Sequence, residues 1–241
     1  MAGFASTPRL AIQTSDIVDS PRRHSALVRF THWIFTLSFF GLAVSGFAII
    51  LAHPHFYWGE TGGIGTPSLF DLPLPTMLGG PSGWGRSLHF QSAWIAVLAG
   101  ALYFVSGVLT QHFRSQLLPR STDLSWRSLR ASIIDHLRFR RPAEEDSYNI
   151  LQRLSYLTVV FLVFPLIIVT GFAMSPAITS VIPEFVTIFG GHQTARTLHF
   201  FLGDFLLVFL LIHIAMVILA GFSSRMRAMI TGRAGSRKEP A

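Results

Sequence analysis

Residues 197–222 read TLHFFLGDFLLVFLLIHIAMVILAGF. One charged residue, Asp204, interrupts an otherwise uncharged run that also carries His199 and His213. A helix needs about 20 apolar residues to cross a bilayer core, and this run exceeds that length. A strand reading fails, because the run is too long and does not alternate. Lipid admits only structures that satisfy their own backbone groups, so the run is a membrane-spanning helix. Its two histidines are fourteen residues apart. At about 100° and 1.5 Å per residue they differ by roughly 40° around the axis and about 21 Å along it. One helix therefore offers an imidazole at each of two levels on one face.

Three more runs have the same character: Phe30–Leu51, Ser87–Thr110 and Leu154–Met174, all without Asp, Glu, Lys or Arg. The whole chain of 241 residues is 50% hydrophobic and 13% charged. A soluble domain carries about 25% charged residues, so a single soluble globule is excluded. The expected fold class is all-α, a transmembrane four-helix bundle. Residues 176–190 are apolar but short and contain Pro183 and Glu184, which makes them a surface-lying piece and not a fifth span. No internal repeat is evident.

The formal net charge is +7, and 17 of the 19 Lys and Arg residues fall on one side of the spans. These are Arg9, Arg22, Arg23 and Arg29, then Arg114 through Arg153 in the middle loop, then Arg225 through Lys238; Arg86 and Arg196 lie opposite. The positive-inside rule puts both termini and the middle loop in the cytoplasm. Basic residues set between apolar runs, not along one polar face, exclude a nucleic-acid surface. Residues 1–25 lack the apolar stretch of a secretory signal and read as a polar tail, 26–222 as the membrane domain, and 223–241 as a basic tail. Leu124–Arg138 has near-helical apolar spacing, which fits an amphipathic helix at the inner interface.

Of ten histidines, His32, His89, His199 and His213 lie inside spans, where ionisable residues are expensive and usually functional. The spans alternate in direction, so position converts to height. His89 and His199 fall near the outer face, and His32 and His213 near the inner face. With no cysteine in the chain, thiolate zinc, iron–sulfur clusters and covalently attached haem are excluded. Two imidazoles per level, without a carboxylate, suit haem iron held between axial nitrogens better than four-coordinate zinc. Iron with both axial positions filled has no vacancy for substrate, so its role is one-electron transfer.

Weaker signals surround these four. Gly46 shares the face of His32 at outer height, and Gly107 the face of His89 at inner height. Both could admit a flat macrocycle, or could simply let helices pack, since Gly41, Gly100 and Gly171 are also present in the spans. Arg29 and Arg153 inside, with Arg86 and Arg196 outside, could pair haem propionates or anchor the span ends. Asp204 lies about 140° from the face of His199, as a proton-linked carboxylate or a hydrogen-bond acceptor. His112 belongs to the inner interface, with a quinone head group as the other reading. His192 ranks below His199 as an outer ligand. Met174 and Met216 read as packing residues.

The chain resembles the di-haem b-type cytochrome subunits of bacterial respiratory complexes, the cytochrome b561-like group. Its members include the membrane subunits of nickel–iron hydrogenases and formate dehydrogenase. The likeness rests on RFTHW around His32, GRSLHFQSAW around His89, ARTLHF around His199, and the His199–His213 spacing. It covers about 22–222. HPHFYWGETG (53–62), YNILQRLSY (148–156), TGFAMSPA (170–177) and FGGHQTARTLHF (189–200) are similar to the branch paired with periplasmic molybdopterin oxidoreductases. Lack of a fifth span departs from the larger relatives.

The resemblance implies two non-covalent haems b, with His32/His213 as the inner pair and His89/His199 as the outer. It also implies electron transfer between membrane quinone, met near the inner haem, and a periplasmic redox subunit, molybdopterin-dependent in that branch. The setting would be the bacterial inner membrane. Other classes make different predictions. A stand-alone haem b oxidoreductase would pass electrons between quinone and superoxide or another small oxidant without a partner subunit. A haem-free proton relay would lack haem absorption, and a structural anchor would be indifferent to loss of His199.

Overall fold

The computed structural model describes residues 25–63, 65–74, 82–111, 113, 130, 134 and 150–233. Among them, four helices are long and apolar enough to cross a membrane: Ala26–Ala52, Gly83–Leu109, Arg153–Ala173 and His192–Leu219. The chain is thus an all-α, multi-pass membrane protein. The expected interfacial helix at Leu124–Arg138 (save residues 130 and 134), His112, residues 1–24 and residues 234–241 lie outside the described residues.

Helix α1 (Ala26–Ala52) begins at Ser25, whose hydroxyl accepts the Val28 N–H at 3.3 Å. A two-stranded antiparallel hairpin follows, β1 (His55–Phe56) with β2 (Phe70–Asp71). Helix α2 (Ser82–Leu109) returns through the membrane. The third span is composite: α3 (Ile150–Thr158), a π-helical turn (Val159–Val163) and α4 (Phe164–Ala173). Pro165 stands where it would break an unmodified helix, having no N–H to donate. The wider turn before it absorbs that irregularity. Two short helices, α5 (Pro176–Thr179) and α6 (Glu184–Ile188), cover the stretch read as surface-lying. Then come α7 (His192–Leu219) and α8 (Phe222–Thr231). The spans begin up to five residues before the apolar runs do, because polar first turns still sit on the helix.

Burial is inverted relative to a soluble protein. Leu37, Leu98, Leu109 and Leu211 are more than 60% exposed, while Thr31, Ser38, Ser45, Ser92 and Thr170 are buried. Lipid tails are as apolar as leucine, so helices associate through small residues that permit close approach. Helix α1 packs on α2 this way, with Ser45 and Ala48 meeting Gly85, and Gly41 meeting Ser92. A Cβ on Gly41 would fall onto the Ser92 hydroxyl.

Helix α4 packs on α7 as the second close pair. Between the pairs, side chains reach across instead of backbones. Phe35 meets Phe164 at 4.8 Å, Trp94 meets Phe172 at 6.0 Å, and Phe104 meets Phe161 at 6.2 Å between ring centres. Val159, Val163 and Leu206 form a buried cluster, flanked by Phe39, Leu202 and Phe209.

The two close pairs carry matching segments. Val44–Ala48 reads VSGFA in α1, and Val169–Ala173 reads VTGFA in α4; Arg86–Phe90 reads RSLHF in α2, and Arg196–Phe200 reads RTLHF in α7. This corrects the expectation of no internal repeat. The match is confined to the outer ends, and unequal connections (44 residues from Ser45 to His89, 29 from Thr170 to His199) hide it from a fixed-period reading. The matched segments fall on spans one and three and on spans two and four, which run in the same direction in each case.

The lopsided arginines predict orientation. Alkaline phosphatase fused after residue 72 should be active, and fused after residue 130 or 233 inactive, with a cytoplasm-dependent fluorescent reporter giving the reverse. The opposite pattern overturns the assignment.

Candidate functional site

The outer level is assembled from all four spans. His89 sits on the second turn of α2 and His199 on the second turn of α7. Their ring centres lie 6.1 Å apart with planes at 63°. Each ring is held from the neighbouring helix of its own pair. Ser45 Oγ on α1 lies 3.0 Å from His89 Nδ1, and Thr170 Oγ1 on α4 lies 2.9 Å from His199 Nδ1.

Ser45 Oγ donates to the Gly41 carbonyl at 2.6 Å, and Thr170 Oγ1 donates to the Ile167 carbonyl at 3.0 Å. With Nε2 given to a metal, Nδ1 carries the proton, and each hydroxyl, whose one hydrogen can go to a carbonyl of its own helix, is placed to accept it. In that tautomer Nε2 of each ring is a lone pair, the form in which imidazole binds a metal.

Haem fits this arrangement. Two metal–imidazole bonds of about 2 Å, plus about 1 Å from each nitrogen to its ring centre, make about 6 Å between ring centres. The glycines after each hydroxyl leave room beside the rings. A Cβ on Gly46 would stand 3.8 Å from His89 Cε1, and one on Gly171 3.5 Å from His199 Cε1. Gly107, by contrast, faces the Phe113 ring, and Gly100 faces Phe35, so both belong to packing. Among the described residues no cluster of three or more His, Cys, Asp or Glu could hold a bare metal ion.

Cations gather just outside this level. Arg86 and Arg196 each precede an outer histidine by three residues, about one turn. His53, which ends α1, is pushed below the ordinary histidine range by burial and then by Arg196 and Arg86 nearby. It is neutral at neutral pH. The Arg196 guanidinium donates to the carbonyls of His53 and His55, at 2.5 and 3.1 Å, and lies 4.8 Å over the Phe56 ring. The hairpin is bolted to α7 by further contacts. Thr197 donates to the Tyr57 carbonyl, and the Gly59 carbonyl accepts from the N–H groups of Gln193 and Thr194. That caps the start of α7, where backbone donors have no helical partner. Gly191 has φ +128° and lies against the Gly59 backbone, so a side chain there would collide.

At the inner level, His213 stacks on Phe209 at 6.3 Å, and His32 lies edge-on to Trp33 at 5.5 Å. Helix α8 closes this end. The Trp33 indole N–H donates to the Met229 carbonyl at 3.2 Å, and Arg29 Nη1 donates to the Ile230 carbonyl. Arg29 Nε is buried without a hydrogen-bond partner among the described residues, a donor that fits a haem carboxylate. Asp204 is exposed on α7 and His192 opens that helix; Met174 caps α4, and Met216 is half-buried.

Sequence reasoning missed Ser45, Thr170 and the Arg196 clamp. The signal for the first two was the VSGFA/VTGFA match.

Replacing Arg196 with Met should free the hairpin, since each hydrogen bond from a charged donor contributes about 1.5–3 kcal/mol. The expected outcome is a lower thermal midpoint in detergent and new protease cleavage within 53–74. His55 Nδ1, 2.7 Å from Asp71 Oδ1, holds that exposed carboxyl below the usual aspartate range. The contact is complete above the ordinary aspartate pKa of about 3.9 and is lost as pH falls through the lowered value. Wild-type cleavage at the hairpin should therefore rise only in acid, and Asp71→Asn should remove that dependence.

Residues 23–232 match the family described as prokaryotic cytochrome b561. A putative protein-methionine-sulfoxide reductase subunit YedZ1 from Azospira oryzae is 28% identical over 197 residues, covering 81% of this chain and 90% of that one. No solved structure matches. The chain belongs to the prokaryotic cytochrome b561 family, whose members bind b-type haem and carry electrons across membranes.

Proposed function

We propose that this chain carries electrons through two b-type haems between the quinone pool and a redox partner on the outer face of the bacterial inner membrane. The observation that supports this most is the outer pair, two imidazoles with ring centres at haem distance, each with a hydroxyl beside its Nδ1 and its Nε2 available to a metal. His89 and His199 would hold the outer haem, and His32 and His213 the inner. Haem iron supplies the one-electron carrier. The protein's residues orient the ligands, exclude water and place cations at the rim.

Arg86 and Arg196 lie where outer propionates would meet them, and Arg29 has a buried donor for an inner one. Quinone chemistry belongs at the inner level. The outer face carries the hairpin and α5–α6, a surface for a periplasmic subunit. The printed name of the Azospira relative, a reductase subunit, supports a partnered role over a stand-alone oxidoreductase. Within that role, a molybdopterin-dependent reductase of oxidised methionine is the proposed partner.

Haem quantified against protein should give two per chain. His89→Ala and His199→Ala should each abolish the same haem, and His32→Ala and His213→Ala the other. One haem per wild-type chain, or losses that group differently, overturn the proposal. Purification from native membranes should bring down a molybdopterin-bearing subunit; quinol oxidation by superoxide at full rate without one would establish the stand-alone reading instead.

A further inference from the structure

The outer imidazoles are supported by a duplicated device. In each close helix pair, a buried hydroxyl on one helix lies at hydrogen-bond distance from Nδ1 of the histidine on the other, where it accepts Nδ1–H once Nε2 is given to iron, and a glycine follows the hydroxyl directly. Ser45 and Thr170 are 0% and 1% exposed, so water cannot replace them. Both are anchored in turn, to the Gly41 and Ile167 carbonyls, which fixes the lone pair that faces the ring.

The inner level lacks this duplication. Aligned by the repeat, His213 corresponds to Tyr103 and His32 to Leu157. The hydroxyl, glycine and histidine repeat together while residues deeper in the same helices do not. That pattern ties the hydroxyls to the outer imidazoles and not to general helix packing.

We infer that Ser45 and Thr170 are positioning residues that set the potential of the outer haem, an inference resting on the outer His89/His199 ligation proposed above. A partner accepting Nδ1–H makes the opposite nitrogen a stronger donor to the metal. Stronger donation favours ferric over ferrous iron and lowers the reduction potential, one of the second-shell levers on haem. A hydroxyl that is itself donating to a carbonyl is polarised into a better acceptor. Two such partners, one on each face, act in the same direction. The pair holds the outer haem low and locks both rings in the metal-binding tautomer.

The test is an equilibrium redox titration of the purified full-length chain, with electron paramagnetic resonance of the ferric haems and haem counted in each sample. Thr170→Val removes the hydroxyl at nearly constant volume, Ser45→Ala removes the other, and Thr170→Ser restores an acceptor. The outer haem is identified as the component lost in His89→Ala.

Thr170→Val and Ser45→Ala should each move that component to higher potential. The expected size is a tenfold change in its ferric-to-ferrous ratio at fixed ambient potential, 59 mV for a one-electron couple. The inner component should stay in place, and Thr170→Ser should lie near wild type. Loss of the outer haem in Thr170→Val with retention in Thr170→Ser also supports the inference, because the hydroxyl and not the volume then decides. An outer potential unchanged in both deletion variants overturns it, as does Thr170→Ser behaving like Thr170→Val. Failure of the ligation itself looks different: His89→Ala and His199→Ala would then leave both haems bound.

Discussion

An imidazole buried within a membrane helix must satisfy two nitrogens where no water can help. Unpaired polar groups in hydrocarbon cost several kcal/mol each. At the outer level one nitrogen of each ring is answered by a hydroxyl, and the proposed haem would answer the other. The rest of the outer architecture follows from holding that arrangement. The hydroxyl must come from a neighbouring helix, the helix must approach closely, and the facing pair must stay far enough away to admit a flat ring.

Two kinds of contact meet those opposed demands. Within a pair, Gly41 against Ser92 and Gly85 against Ala48 bring α1 and α2 together. Between pairs, Phe35 with Phe164 and Trp94 with Phe172 span the gap with side chains. Small residues thus set the depth of the support, and aromatic residues set the width of the slot. Leu202, Leu206 and Phe209 occupy the stretch of α7 between His199 and His213, so the two levels are separated by packed hydrocarbon and not by solvent.

Much of this was legible in the sequence, because length, apolarity and fourteen-residue spacing act through helix geometry alone. The four spans and the grouping of His89 with His199 needed nothing else. The support residues were hidden for a physical reason. A serine inside an apolar run can bond back to its own helix, as Ser38, Ser45 or Ser92 could by composition, and only the neighbouring helix reveals which one meets a histidine. Gly171 was unreadable in the same way, since a packing glycine and a glycine beside a ring have the same sequence signature. The hairpin was missed because two-residue strands carry no periodicity.

Arg196 shows how the membrane domain and its outer cap are joined. A guanidinium cannot give up its charge, and none of the described carboxylates pairs with it. The His53 and His55 carbonyls solvate one side of it, and the Phe56 face lies under it. That leaves a positive centre one turn outside His199, matched through the repeat by Arg86 one turn outside His89. A ligand with two carboxylates on one edge would meet one cation from each half of the molecule. The correspondence between the halves therefore extends from the outer imidazoles, through the hydroxyls behind them, to the arginines one turn beyond. A flat macrocycle with two carboxylates, as proposed for the outer level, would engage all three layers at once.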